Sequence, residues 1–270
     1  MQRDQAADWQ PNGVPRPGDT LIMHGGTINI EHAIENFQIT TSAAGGTTDN
    51  QINLNGGDIL NIDDESGTPN LSINVNAPGA IVGGALNGAL GQVKINLAPH
   101  TSMIFTGTYV DGGFAFGGPL DISGGGTFIN DGTITATRAE IDSSVLGLGM
   151  MKFTATHDAG PGDVEVSGAS GRGLTYDLGF NSLTTVEHPH TFMSKVEMDD
   201  GSFLTLDGLA ATSYDFKNDL LTLYQGNTPV YRLRVTDQSS DEQPLYVTSS
   251  TGGVSVGVLP SSSSPNFTRF

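Results

Sequence analysis

Gly124-Gly125-Gly126-Thr127-Phe128-Ile129-Asn130-Asp131-Gly132-Thr133-Ile134-Thr135-Ala136 reads in two ways, and each reading leads to a different fold. Asn130-Asp131-Gly132 is a tight-turn signal, which makes residues 127–129 and 133–136 the arms of an antiparallel hairpin. The same letters also fit one corner of a coil that recurs along the chain. The surrounding sequence decides between them.

Working outward, short strands of one form repeat: Ile28-Asn29-Ile30-Glu31, Ile52-Asn53-Leu54-Asn55, Ile73-Asn74-Val75-Asn76, Ile95-Asn96-Leu97-Ala98 and Leu120-Asp121-Ile122-Ser123. Their starts lie 24, 21, 22 and 25 residues apart, and Val164-Glu165-Val166-Ser167 repeats the form further on. Most are followed by a small turn (Gly56-Gly57, Ala77-Pro78-Gly79, Pro99-His100, Gly124-Gly125-Gly126) and a second apolar run (Ile59-Leu60-Asn61-Ile62, Ile81-Val82, Met103-Ile104-Phe105, Phe128-Ile129). Alternation puts one aliphatic row on one face of each strand. A single coil cannot bury that row, whereas coils stacked ~4.8 Å apart bury it continuously and satisfy one another's hydrogen bonds. A period in this range is the signature of a solenoid.

These features predict an all-β chain: a lead-in over residues 1–17, a parallel, right-handed β-helix or solenoid over 18–170, an antiparallel β capping or assembly module over 171–260, and a Ser/Pro tail over 261–270. A β-sandwich, which also has short strands at regular spacing, is the competing architecture. In the solenoid reading, Gly124–Gly126 and Asn130–Gly132 are successive corners of one coil, and the strands beside them pair in parallel with neighbouring coils.

Nine asparagines fall between Asn50 and Asn96, although asparagine is a poor strand former. It tolerates the left-handed conformation at corners and stacks into amide ladders. Asn55 and Asn76, at strand ends, suit corners; Asn53, Asn74 and Asn96 alternate with the buried row and are expected to face outward or line a ladder that holds coils or copies together.

Past residue 170 the strands lengthen. Residues 214–216, 220–224 and 230–235, joined by short polar connections, and residues 246–249 and 254–258 around Ser250-Thr251-Gly252-Gly253, read as antiparallel pairs. Because an open solenoid end is an unpaired sheet edge, this module is expected to cap it or to serve as a controlled docking surface.

Composition sets limits on function. Glycine is 37 of 270 residues, about twice its usual share of roughly 7%, which fits many turns. A net charge of −18 with only 11 basic residues argues against a nucleic-acid partner. The absence of cysteine excludes disulfides and thiolate metal sites, and no run of 18 apolar residues marks a membrane-spanning helix.

Candidate chemistry is sparse. Asp63, Asp64 and Glu65, in Asp63-Asp64-Glu65-Ser66-Gly67, form the best oxygen cluster for Ca²⁺, without EF-hand spacing; a solvated acidic loop is the competing reading, and no other cofactor is indicated. Glu187-His188-Pro189-His190 offers two imidazoles that need a third ligand to hold Zn²⁺ or Cu²⁺, and the sequence equally suits a linker between modules. His157-Asp158 has no evident nucleophile, with Ser167 and Ser170 near only in sequence. No catalytic residue is assigned.

Asp8-Trp9, Gly13-Val14-Pro15 and Pro17-Gly18-Asp19-Thr20-Leu21-Ile22 resemble the opening of bacterial surface β-helix proteins, where a Trp-containing stretch leads through a Val-Pro-x-x-Gly-Asp turn into the first strand. Residues 203–235, FLTLDGLAATSYDFKNDLLTLYQGNTPVYRLRV, resemble a module of autotransporter-like and adhesin-like proteins. The resemblance implies an extracellular or cell-surface location and a structural or adhesive role, as in a biofilm matrix. Separately, a regular stack with open ends can bind its own copies head to tail, so the expected partner is the chain itself, in an oligomer or filament, or a cell-surface or matrix glycan. The composition also resembles that of proteins exported by bacterial type I secretion. Two alternatives accompany this expectation. One is a polysaccharide-active β-helix lyase or hydrolase, against which stands the scarcity of cations in the solenoid: Lys94, Arg138 and Lys152 are the only ones between residues 20 and 170. The other is a carbohydrate-binding or phage-spike-like module.

Overall fold

Alternating side chains need a partner surface for their apolar row, and in the computed structural model that surface is supplied by the coil above and the coil below. The structure describes residues 16, 18–23, 25–31, 37–41, 49–56, 59–64, 70–87, 91–110, 119–153, 162–238 and 245–259. The expected Ser/Pro tail, all of the lead-in but residue 16, His157, Asp158 and Glu65 lie outside them.

The chain winds into a parallel β-solenoid. One face is an 11-stranded sheet that runs from Gly26–Ile30 through Asn50–Leu54, Asn70–Val75, Gln92–Leu97, Leu120–Gly124, Arg138–Ile141, Gly162–Val166 and Ser182–Val186 to Phe203–Asp207, all parallel, and ends in two antiparallel strands. Its register makes one aliphatic column of Ile28, Ile52, Ile73, Ile95, Ile122, Ile141, Val166, Val186 and Leu206. None of these is more than 3% exposed. Ile122, not Leu120, lies opposite Ile95, so the repeat slips by two residues at this coil relative to the spacing read from sequence.

A second sheet runs along the other side through Thr20–Met23, Phe37–Thr41, Ile59–Asp64 and Ala80–Asn87. At Ala80–Asn87 this side divides. Residues 80–82 pair with Ser102–Phe105 and residues 85–87 with Thr108–Val110, so each of the next three coils has three strands. The wider coil has room for rings: Phe105, Tyr109, Phe128, Phe153, Tyr176 and Phe192 are all at most 2% exposed. Ring centroids are 6.0 Å apart for Phe105 and Phe128, 5.9 Å for Phe153 and Tyr176, and 4.9 Å for Tyr176 and Phe192. Such spacings lie within the range where aromatic pairs attract beyond their buried area.

The stretch Gly124–Ala136 lies in this three-stranded region, and its two arms do not pair with each other. Thr127–Asn130 pairs in parallel with Ser102–Phe105 and Ser144–Leu146; Thr133–Ala136 pairs in parallel with Thr108–Val110 and Met150–Phe153. Its two glycine corners press on the coil beneath. Gly124 has φ +108°, and a Cβ there would lie 2.1 Å from the Leu97 carbonyl oxygen; one on Gly132 would lie 2.1 Å from that of Gly107. Asn130, fully buried, accepts the Gly132 N–H (3.1 Å) and donates to the Met150 carbonyl (3.2 Å). The turn is therefore tied to the next coil.

Parallel winding continues past residue 170, where the solenoid was expected to end. Thr175–Leu178, Ser182–Val186, Lys195–Met198 and Phe203–Asp207 are all parallel rungs. The reason is legible in Ser182–Val186, where Ser182 and Thr184 point inward and Leu183 is 42% exposed. The rung has inverted polarity and does not read as part of the repeat. Antiparallel strands begin only afterwards. Gly253–Val258 pairs with Phe203–Asp207 and Leu245–Ser249, while Ser213–Lys217, Leu220–Gln225 and Thr228–Asp237 form a meander. Asn218 (φ 51°) and Asp219 (φ 59°) supply the two positive-φ residues that a two-residue hairpin of the primed type requires. The last strand of the meander joins the solenoid at Val235–Asp237, in parallel with Val196–Met198.

Candidate functional site

Three polar features stand on the outside of this frame. The first is an amide ladder. Asn53 Nδ2 donates to Asn29 Oδ1 (2.6 Å), Asn74 to Asn53 (2.7 Å) and Asn96 to Asn74 (2.7 Å), and Ser123 Oγ donates to Asn96 Oδ1 (3.3 Å). A shorter ladder one corner away joins Asn76 to Asn55 (2.8 Å) and Asn55 to Glu31 (3.0 Å). Asn55 and Asn76 thus stand at corners, but without left-handed backbone: the described non-glycine residues with positive φ are His100, Asn181, Asn218 and Asp219. Asn53, Asn74, Asn96 and Asn55 each both donate and accept within their ladder, which makes these rows a brace along the solenoid.

The second feature is a column of carboxylates. Asp121, Glu140 and Glu165 are in register on successive rungs, with Lys94 at one end (Nζ 3.8 Å from Asp121 Oδ2). Like charges directly opposite repel. Glu165 accordingly has its carboxyl held above the ordinary 4.5, through a hydrogen bond shared with Glu187, some desolvation, and the charges of Glu187, Glu140 and Asp142.

The remaining sequence candidates that fall among the described residues form no common site there. Asp63 and Asp64 are the last residues of the strand Ile59–Asp64, not members of a loop. His188 and His190 are exposed, the first just before and the second within the 3₁₀ turn Pro189–Thr191, and His190 packs edge-on against Tyr231, centroids 6.2 Å apart. No group of three or more metal-capable side chains occurs among the described residues. Ser167 Oγ donates to Asp142 Oδ1 (2.7 Å); Ser170 is buried against Ser194, whose hydroxyl also donates to the Gly171 carbonyl (2.8 Å). Lys152 Nζ lies 3.1 Å from Asp177 Oδ2.

The third feature was not anticipated from sequence. A groove of about 820 Å³ opens where the meander meets the solenoid. One wall is His190 with residues 192–195 and the other is residues 229–234; Arg172 and Leu220 flank them. Four of the chain's 11 basic residues, Arg172, Lys195, Arg232 and Arg234, line it. Lys195 Nζ is 2.5 Å from Glu197 Oε1, whereas Arg172, Arg232 and Arg234 have no carboxylate within ion-pair distance among the described residues. Tyr231 crosses the gap, its hydroxyl donating to the Phe192 carbonyl (3.0 Å), and burial raises its pKa. Sequence held one usable signal, Arg232-Leu233-Arg234 in a cation-poor chain, but the opposite wall lies about forty residues earlier.

Comparisons of the chain with protein families, curated proteins and solved structures found no match to any of them.

Proposed function

We propose that the protein is an extracellular structural and adhesive scaffold of the kind found on bacterial surfaces or in matrices, working as a braced rod with one specialised end. The observation that carries this reading is the difference between the ends. At the C-terminal end both long sheets terminate in antiparallel strands, and a groove lined by four cations lies beside them. At the other end, among the described residues, nothing pairs with the outer side of Thr20–Met23 or Gly26–Ile30. A rod with unlike ends suits directed contacts: with another surface, or head to tail with a second copy, where a contact that does not close on itself produces a filament.

The amide ladders support a mechanical role because they add side-chain hydrogen bonds between coils to those of the backbone. A scaffold is favoured over hydrolysis of a polysaccharide because the groove beside the meander is lined by no aspartate or glutamate, whereas glycoside hydrolysis needs two carboxylates flanking the bond that breaks. Electron microscopy and sedimentation of the purified protein test the assembly element across salt and calcium concentrations. Rods that join end to end are expected. Dispersed monomers under every condition overturn assembly, and release of reducing ends from acidic glycans overturns the scaffold reading.

A further inference from the structure

The cationic groove occupies the place of a missing strand. On the third face of the solenoid, Ser102–Phe105, Thr127–Asn130 and Ser144–Leu146 are parallel rungs, and single bridges continue the column from Val145 to Ser170 and from Ser170 to Phe192. Beyond Phe192 no rung follows among the described residues. The next strand in space, Thr228–Asp237, touches the solenoid ladder only from Val235 onward; its earlier residues pair with Leu220–Gln225 alone.

Two details show that the groove runs along a strand edge. Its wall contains residues 229–234 in succession, and because successive side chains point to opposite faces, only an edge can meet all of them. The Val235 N–H donates to the Asp219 carbonyl (2.9 Å). Hydrogen-bonded pairs alternate along an antiparallel ladder, so Tyr231 and Leu233 share that direction and the peptide groups of Arg232 turn the opposite way, into the groove.

We infer that this groove binds an extended acidic polypeptide segment, which adds as a strand to the edge at Arg232. Adding a strand to an exposed edge gives affinity through main-chain hydrogen bonds and selectivity through alternate side chains. The arginines at 232 and 234 supply that selectivity: they share one side of their strand and repeat at ~6.8 Å, the repeat of alternate side chains in any extended peptide. A peptide with carboxylates at every second position therefore meets both guanidiniums, each able to hold a carboxylate through two parallel hydrogen bonds. Arg172 adds a third positive charge, and Met193 (52% exposed) and Leu220 (37% exposed) offer apolar contact to the intervening side chains. Long polyanions such as nucleic acids are disfavoured by a protein of net charge −18.

The inference goes beyond the scaffold reading and fails separately from it, since a protein that stays monomeric can still bind peptide. The test is fluorescence anisotropy with a labelled, end-capped nine-residue peptide alternating glutamate and threonine, titrated with the full chain at low and physiological salt. Binding is expected to weaken with salt and by tenfold or more in the double variant Arg232→Gln/Arg234→Gln, whose folding is checked by its thermal melt. It is also expected to weaken comparably when alternate amides of the peptide are N-methylated, a change that needs no protein variant. The glutamine counterpart should not bind. No binding, or binding unaffected by both the double variant and N-methylation, overturns the inference. So does an oligouronate of equal charge that binds as tightly as the peptide, because it has no strand to add.

Discussion

The amide ladder makes a quantitative prediction that separates a brace from a row of tolerated polar residues. Asn74 donates to Asn53 and accepts from Asn96, both at 2.7 Å. Each bond is partly buried, so water competes for it, and a net value in the lower half of the usual range, about 0.5–1 kcal/mol, is expected. Asn74→Ala breaks two such bonds and should cost about 1–2 kcal/mol, although changes in strand propensity blur any single value. A double-mutant cycle removes that ambiguity, since the propensity of each site cancels. Asn53→Ala with Asn74→Ala should show a coupling of about 0.5–1 kcal/mol, the worth of their shared bond. Asn29→Ala with Asn96→Ala, two sites without a mutual bond, should be additive within about 0.5 kcal/mol. Because coils interact chiefly with their neighbours and a solenoid can unfold in parts, denaturant melts need to be paired with hydrogen exchange of residues 50–97. A coupling for Asn53 and Asn74 no larger than that for Asn29 and Asn96 would refute the brace and leave the asparagines as polar side chains that only face water.

Three further outcomes follow from the same frame. Gly124→Ala should destabilise the chain by more than about 3 kcal/mol, since a positive φ alone costs roughly 1–2 kcal/mol and the new Cβ also meets the Leu97 carbonyl at 2.1 Å; Gly79→Ala, with φ +89° and open space around it, should show only the backbone cost in the same melt. Phe128→Ala should cost about 3–5 kcal/mol in denaturant titration, because the ring is wholly buried and stacks on Phe105. Glu165 has a folded pKa above its ordinary 4.5, so its folded state binds a proton more tightly than its unfolded state. Its unfavourable contribution is present in full above the folded pKa and disappears as pH falls toward 4.5. Glu165→Gln should therefore stabilise the protein at pH 7 by a few tenths of a kcal/mol, a small effect because the side chain is largely in water, and by less at pH 4; an equal gain at both would show that carboxylate repulsion is not its cause.

How much of this was legible in the sequence depended on whether the polarity of a rung agreed with its place. Where it did, as in Ile52-Asn53-Leu54 and Ile73-Asn74-Val75, the repeat, the buried column and the outward row could be read from spacing alone. The stretch Gly124–Ala136 could be assigned to coil corners only because its neighbours repeated. Taken alone, its turn residues favour a hairpin, and what decides against that is the space between coils: Gly124 and Gly132 are needed where two backbones touch, not where a chain reverses. Strand polarity misled at Ser182–Val186, whose small polar residues point inward, so the solenoid was expected to end one coil or more before it does.

The cation groove was illegible for a different reason. Spacing along the chain reports what one strand presents to its own faces, while this groove is made by what a strand lacks. The segment Thr228–Asp237 reads as an ordinary alternating strand, and its arginines as an ordinary solvent face. Only the pairing shows that it leaves the ladder before Val235, and only the third column, thinned to single residues at Ser170 and Phe192, shows which rung is absent there. Had the arginines been placed on a fully paired strand, they would be charges on a sheet face, screened by water. Beside an unpaired edge they flank backbone donors and acceptors that a second chain can reach, and it is that juxtaposition, rather than the count of charges, that gives the end of this solenoid a preference for one shape of partner.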